Sequence, residues 1–410
     1  MRRLAFPRSG QKVGLLFLLL FFACSQKTEV TALRRENRFT LKYGGFEDEL
    51  NLFDLASPGE INTHITMREG LFYIANGEAQ KVMQFNSYGD LLTLYYNPET
   101  NPVPAFEAQT PNQGTRVMSP QTAVHHPFNN PGFTAVDSQK NVYVADQLPP
   151  ERQQRDENRQ LLLSQVVLRF SSGGTFLDYV GQQGLGGVPF PFIKDIFITR
   201  NNELVVVCQI RTGMLAYWYS PSGFLLYTIP INQADLPKPV PGENDGESYV
   251  SLKKVIPDCS EKKFYLAIDY YQSLIDQESK VQYSIEYDRT LMYTLEVETG
   301  EFTDPVVIPP FEREGDKAAQ AVYRQAYDFL GQTESGWFFF IIPDDTGYLL
   351  QMIQQAGGRI QKRHLDVDSA GLVYYSFSLS SEGIISAILA GEESASVVWW
   401  RSDILLGNLR

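Results

Sequence analysis

The stretch GLFYIANGEAQKVMQFNSYGDLLTLYY, residues 70–96, holds three short apolar runs separated by two polar turns. Its aromatic and branched residues suit a pleated, half-buried surface, and runs this short between Gly and Asn turns read as strands. Phe85 stands four residues before Gly89, and the same spacing returns at Phe170 and Gly174 and at Tyr219 and Gly223. Around those pairs lie further copies of the unit. One is NVYVADQ (141–147), resumed as QVVLRFSSGGTFLDYV (165–180); another is ELVVVCQIRTGMLAYWYSPSGFLLYTI (203–229). Fainter copies run through 263–271 with 290–302, 337–345 with 348–360, and 372–389.

An additional strand precedes most copies: NTHITMR (62–68), FTAVDS (133–138), IKDIFIT (193–199) and SLKKVIPD (251–258). Short turns such as REG, SQKN, RNN, ESG and SAG (369–371) are read as joining it to the next strand. Four antiparallel strands repeated about every 40–60 residues make the pattern of a propeller blade. A single blade cannot bury both its faces, so neighbours must stack into a ring. The fold class expected is therefore all-β: a β-propeller of six four-stranded blades, with five or seven open and a pair of β-sandwiches as the bland alternative. Ring closure has two solutions: FTLKYG (39–44) pairs with the last blade, or SVVWWRS (396–402) closes it alone. GLFYIANGEAQKVMQF and NVYVADQ…VVLRF resemble NHL-type repeats, and that resemblance implies a six-bladed propeller over about residues 60–405.

The N-terminus carries a different signal. Arg2, Arg3, Arg8 and Lys12 precede an apolar run, VGLLFLLLFF at 13–22. Ten residues make about 15 Å of helix, against about 30 Å of hydrocarbon in a bilayer, so the run reads as a secretory signal and not a span. Ala23 before Cys24 resembles the lipobox of bacterial lipoproteins; Phe21 departs from its usual aliphatic residue, a looseness familiar in spirochaete lipoproteins. The resemblance implies cleavage before Cys24 and acylation of its sulfur, and Ser25, in place of Asp, implies outer-membrane sorting. An ordinary secretory signal with an incidental cysteine is the alternative. The expected organisation is a signal peptide (1–23), a lipidated Cys24 with a polar tether (24–37), and one propeller domain (38–410).

The formal charge is −13, and removing the four cations of the signal leaves about −17. Such a surface repels phosphate backbones, which argues against a nucleic-acid partner. Only Cys208 and Cys259 follow Cys24; one falls at the top of a second strand and the other in a turn on the opposite face, too far apart to bridge.

With strands lettered A to D from the channel outward, A–B and C–D turns emerge on one face, and B–C and D–A connections on the other. The long segments 97–131, 147–164, 230–250, 272–288 and 309–322 all fall on the second face. Loops on a rigid scaffold are where binding groups sit, so this is the expected working face. Segment 97–131 carries seven prolines and reads as an extended strap; Asp235, Glu243, Asp245 and Glu247 make an acidic rim.

Catalytic signals are missing: the sequence holds no GxSxG elbow, and GENDGES (242–248) lacks the ligand register of a calcium loop. His125 and His126 are adjacent, and neighbouring side chains rarely face one ion. No metal, cofactor or catalytic residue is expected. Asn76, Asp146, Gln209 and Asp269 fall at the ends of B strands and form the candidate ligand-binding set, as in lactonase-like propellers; the competing reading is that they bond their own connections. Three functions follow. The first is a monomeric, membrane-anchored binding or scaffold module for an envelope protein, peptide or glycan. The others are a channel enzyme such as a lactonase-like hydrolase or lyase, and a structural envelope spacer.

Overall fold

The computed structural model describes residues 30–53, 60–108, 120–238, 248–276, 278–279, 281–303, 305–314, 322–355 and 358–407. The signal segment, Cys24, the middle of the proline strap, and Glu243, Asp245 and Glu247 lie outside them. From Thr31 onward the chain is one compact unit.

That unit is a six-bladed β-propeller. Blade 1 runs Thr63–Arg68, Leu71–Asn76, Lys81–Phe85 and Leu91–Tyr96, and blade 2 Thr134–Val136, Val142–Gln147, Gln165–Phe170 and Phe176–Gly181. Blade 3 runs Phe192–Ile198, Leu204–Ile210, Gly213–Tyr219 and Leu225–Asn232, and blade 4 Ser248–Pro257, Lys263–Ile275, Gln282–Glu296 and Val306–Ile308. Blade 5 runs Asp328–Gln332, Trp337–Asp344, Gly347–Gln354 and Ile360–Asp366. Blade 6 takes Tyr374–Leu379, Ile385–Ala390 and Ser394–Trp400 from the end of the chain and Arg35–Lys42 from its beginning.

The period-2 alternation of the B strands explains the stacking. In blade 1, Phe72 and Ile74 point into a core shared with Ile388 and Val397 of blade 6, whereas Tyr73 and Ala75 point into one shared with Val142 and Val144 of blade 2. Four further cores fill the remaining interfaces, between blades 2 and 3, 3 and 4, 4 and 5, and 5 and 6. Every blade thus buries both faces, which is why its central strands are nearly continuous apolar runs. Fully burying one Phe or Ile side chain stabilises by about 1.5–3 kcal/mol.

Of the two sequence solutions for closure the first holds: the N-terminal segment pairs with the last blade, and SVVWWRS does not close the ring alone. Ser394–Trp400 is the third strand of blade 6, and Arg35–Lys42 lies antiparallel to it as the outermost, with Arg35 opposite Trp400 and Lys42 opposite Ser394. Strand structure therefore begins inside the segment read as tether. Just before it, Ala32–Leu33 runs parallel to the outer strand of blade 5, opposite His364 and Leu365, so the chain joins the ring at its outer rim.

One turn differs from the sequence reading. Ser369–Gly371 is a 3-10 turn in the connection from blade 5 to blade 6, and not an A–B turn. The A–B turn of blade 6 is Ser380–Ile384, where Gly383 takes φ +99°, a region that favours glycine. LVYYSF looks like a central strand because it is aromatic, but Tyr374–Leu379 lines the channel.

Candidate functional site

The long connections share one face of the ring, as the meander topology requires, but 272–288, read as a connection, is mostly strand, belonging to Lys263–Ile275 and Gln282–Glu296. The strap after blade 1 forms a helical turn at Ala105–Ala108 and then a fifth strand, Thr122–His125, parallel to Leu91–Tyr96. The Tyr96 hydroxyl fastens it, lying 2.9 Å from His125 Nε2 and donating to Glu107 Oε2 at 3.0 Å. His126 points the other way, against Phe128, Phe170 and Phe176, where burial pushes its pKa down to about 4. The insertion of blade 2 folds into a 3-10 turn, Pro150–Arg152, and a small hairpin pairing Gln154–Asp156 with Leu161–Leu163.

Of the B-strand set, Asn76 is fully buried and fully bonded. Its Nδ2 shares its two hydrogens among Asn51 O (2.6 Å), Thr63 Oγ1 (2.9 Å) and Glu78 Oε2 (3.1 Å), and its Oδ1 accepts from Asn51 N at 2.9 Å. Asp146 is buried and accepts from the backbone N–H groups of Asn129 and Asn130, at 3.3 and 2.8 Å. Burial dominates there and raises its pKa to about 7. Asp269, also buried, accepts from Thr290 Oγ1 at 2.5 Å and lies 3.7 Å from Lys253 Nζ; burial again pushes its pKa upward. Gln209 is exposed and donates to Ile210 O (3.2 Å) and Gly213 O (2.8 Å). All four thus bond neighbouring segments, and none lines the central channel.

The channel is a cavity of about 300 Å³ lined by the A strands of all six blades. Its lining includes residues that the sequence reading did not single out, although an innermost strand must present them. Asp195 and Lys254 face each other across blades 3 and 4, with Oδ2 to Nζ 3.8 Å, and Lys254 also donates to Leu330 O at 3.2 Å. Burial pushes the Asp195 pKa upward, against the nearby Lys254 charge. His64 stacks on Phe133 with centroids 4.1 Å apart, and burial lowers its pKa to about 4, leaving it neutral at pH 7.

Near the short-turn end, burial pulls Asp258 upward but is outweighed by donors. Ser260 N, Glu261 N and Tyr265 OH each stand at 2.8 Å, and the pKa falls below its usual value. Cys259 beside it is a free thiol pushed up to about 12 by burial, and Cys208 is a free thiol inside blade 3 pushed well above its usual value. Neither supplies a thiolate at neutral pH. Among the described residues no three His, Cys, Asp or Glu side chains gather as a metal site, and no helix is long and apolar enough to cross a membrane.

Large exposed apolar side chains crowd the long-connection face: Phe46, Phe53, Val103, Leu162, Phe192 and Tyr323 among them. The short-turn face shows fewer, Tyr88 and Phe224 being the most exposed.

No family model matches the chain, and no curated protein matches it. Solved structures match the chain at very low identity. A saccharide-bound ulvan lyase of a new polysaccharide lyase family is 10% identical, with 90% of this chain and 83% of that one covered at a TM-score of 0.38. The polysaccharide lyase Uly1 is 8% identical, with 90% and 99% covered at 0.45. A gluconolactonase from Xanthomonas campestris is 10% identical, with 90% and 96% covered at 0.40.

Proposed function

We propose that the chain is an envelope lipoprotein, anchored in the outer membrane through acylated Cys24, whose propeller of NHL-type blades is a non-catalytic binding or scaffold module. Its long-connection face holds an envelope protein, peptide or glycan, and the propeller itself is monomeric. The observation that carries the reading is the asymmetry of the ring. Among the described residues the long connections, the strap, the blade 2 hairpin and most of the exposed apolar side chains lie on one face, whereas the other carries tight turns and the short C-terminal helix Ser402–Gly407. Exposed apolar patches rimmed by polar residues mark interaction surfaces. The thiols are protonated, and Asp195 and Lys254 in the channel are paired, which favours binding over chemistry.

The anchor is tested by intact mass of the membrane-extracted protein, wild type beside Cys24→Ala. The expected result is a wild-type species starting at residue 24 with acyl mass, absent from the variant. An unacylated species cut elsewhere removes the anchor from the account.

A further inference from the structure

Blade 4 departs from its neighbours in one respect. Its B and C strands, Lys263–Ile275 and Gln282–Glu296, are 13 and 15 residues long, whereas the B and C strands of the other blades have five to eight. At about 3.3 Å per residue, the surplus projects on the order of 20 Å beyond the ring on the long-connection face. The fourth strand does not follow: Val306–Ile308 pairs only with Thr290–Met292. The inner edge of Gln282–Asp288 is paired with strand B, but no strand is hydrogen-bonded to its outer edge among the described residues, although Val322–Gln325 approaches strand C. Among the described residues no backbone hydrogen bond reaches that edge from the neighbouring hairpin Phe311–Glu314 and Val322–Gln325.

Unpaired strand edges are normally blunted by lysine, proline or a covering element. The edge sequence QYSIEYD contains neither lysine nor proline. Tyr283 and Ile285 are 69% and 51% exposed, and beside them Tyr287 packs edge-on against Tyr271 with centroids 5.9 Å apart. The edge is therefore sticky in both ways a strand can be, through main-chain groups and through side chains.

Charge selects the occupant. Between Tyr270 and Asp288 the sequence holds Asp276, Glu278, Glu286 and Asp288 against the single Lys280. Glu286 is exposed. A second copy of this acidic chain is repelled, whereas a cationic segment is attracted.

We propose that the free edge Gln282–Asp288 receives an extended, basic segment of a protein partner as an added β-strand. This narrows the binding reading above and rests on it. Main-chain hydrogen bonds supply affinity, and alternate side chains on the Tyr283 and Ile285 side, with a cation toward Glu286, supply selectivity; Asp288 is already paired with Arg289 at 3.0 Å.

The test uses the full-length protein and a labelled peptide, acetyl-KVTIKVTYK-amide, beside the same peptide N-methylated at every second residue. Methylation leaves charge and side chains in place but removes the donors along one edge. Fluorescence anisotropy should show at least tenfold weaker binding of the methylated peptide and of the plain peptide to Ser284→Pro. Glu286→Lys, which keeps the backbone intact, should weaken binding severalfold. Amide exchange should slow within residues 283–288 when the plain peptide binds. Equal binding of the two peptides, or no binding of either, overturns the inference. Protection elsewhere on the long-connection face overturns the edge assignment but leaves the binding face standing; protection confined to the short-turn face overturns both.

Discussion

The Arg38 guanidinium lies 4.4 Å from the centroid of the Trp399 ring, and this contact joins the first long strand of the ring to the last. Glu36 completes the clamp: its Oε2 accepts from Trp399 Nε1 at 2.9 Å and from Arg38 Nη1 at 3.2 Å. A ring closed by strands from opposite ends of the chain depends on such contacts, because no covalent turn holds its outer strand to blade 6.

Trp399→Ala should therefore destabilise the propeller by about 2–4 kcal/mol, and Arg38→Ala by about 1 kcal/mol or less, since its charge is partly solvated. Urea unfolding measures both. Equal, negligible losses would mean that the clamp does not hold the ring shut.

Gly89 in the C–D turn of blade 1 has φ +91°, and a Cβ there would stand 2.6 Å from the Cβ of Phe39 on the closing strand. Gly70 has φ +78° with nothing within 4 Å. Gly70→Ala should cost about 1 kcal/mol from backbone strain, and Gly89→Ala should cost more, about 2–3 kcal/mol, because a closely packed neighbour must also move. Thermal unfolding of the pair checks the order.

Burial raises the pKa of Asp146 to about 7. A folded pKa above the unfolded one means that the native state holds the proton longer. Its contribution is full below about pH 4 and is lost as pH rises through about 7. The loss is on the order of 4 kcal/mol at most. Stability measured from pH 4 to pH 8 should fall in the wild type and fall less in Asp146→Asn. Parallel profiles would show that Asp146 does not titrate as its burial implies.

Asn76 and Gln209 separate scaffold from surface. Asn76→Ala strands buried partners at Asn51, Thr63 and Glu78 and should cost about 2–4 kcal/mol. Exposed Gln209 should tolerate alanine within about 0.5 kcal/mol. Denaturation midpoints of the two variants read this directly; comparable losses would contradict the contrast.

Much of the fold was legible because the B and C strands alternate between two buried interfaces, so that runs such as LFYIAN and LVVVCQI stand out. The C–D turns were legible for the same reason, with Gly89, Gly174 and Gly223 all at positive φ. Blade 6 was harder. Its channel strand is aromatic, which obscured the turn at Gly383, and its fourth strand lies more than 350 residues away in sequence, where local pattern carries no pairing information. The candidate site was legible only as a face. Topology places every long connection there, but whether Asn76 or Asp146 points to solvent or to its own connection depends on partners such as Asn51 and Asn130, which strand periodicity cannot supply. The length of strand C in blade 4 was missed because its outer part, QYSIEYD, is polar and exposed and lacks the signature of a buried strand.

The long-connection face is proposed to do the binding. The most direct measurement is photo-crosslinking in cells, with a photoreactive residue placed in turn at Val103, Leu162 and Tyr323 on that face and at Tyr88 and Phe224 on the opposite one, all exposed. Binding through that face should give a discrete adduct of the same mass from the first three positions and none from the last two. An adduct confined to Tyr88 and Phe224 would contradict it and make the short-turn face the working surface.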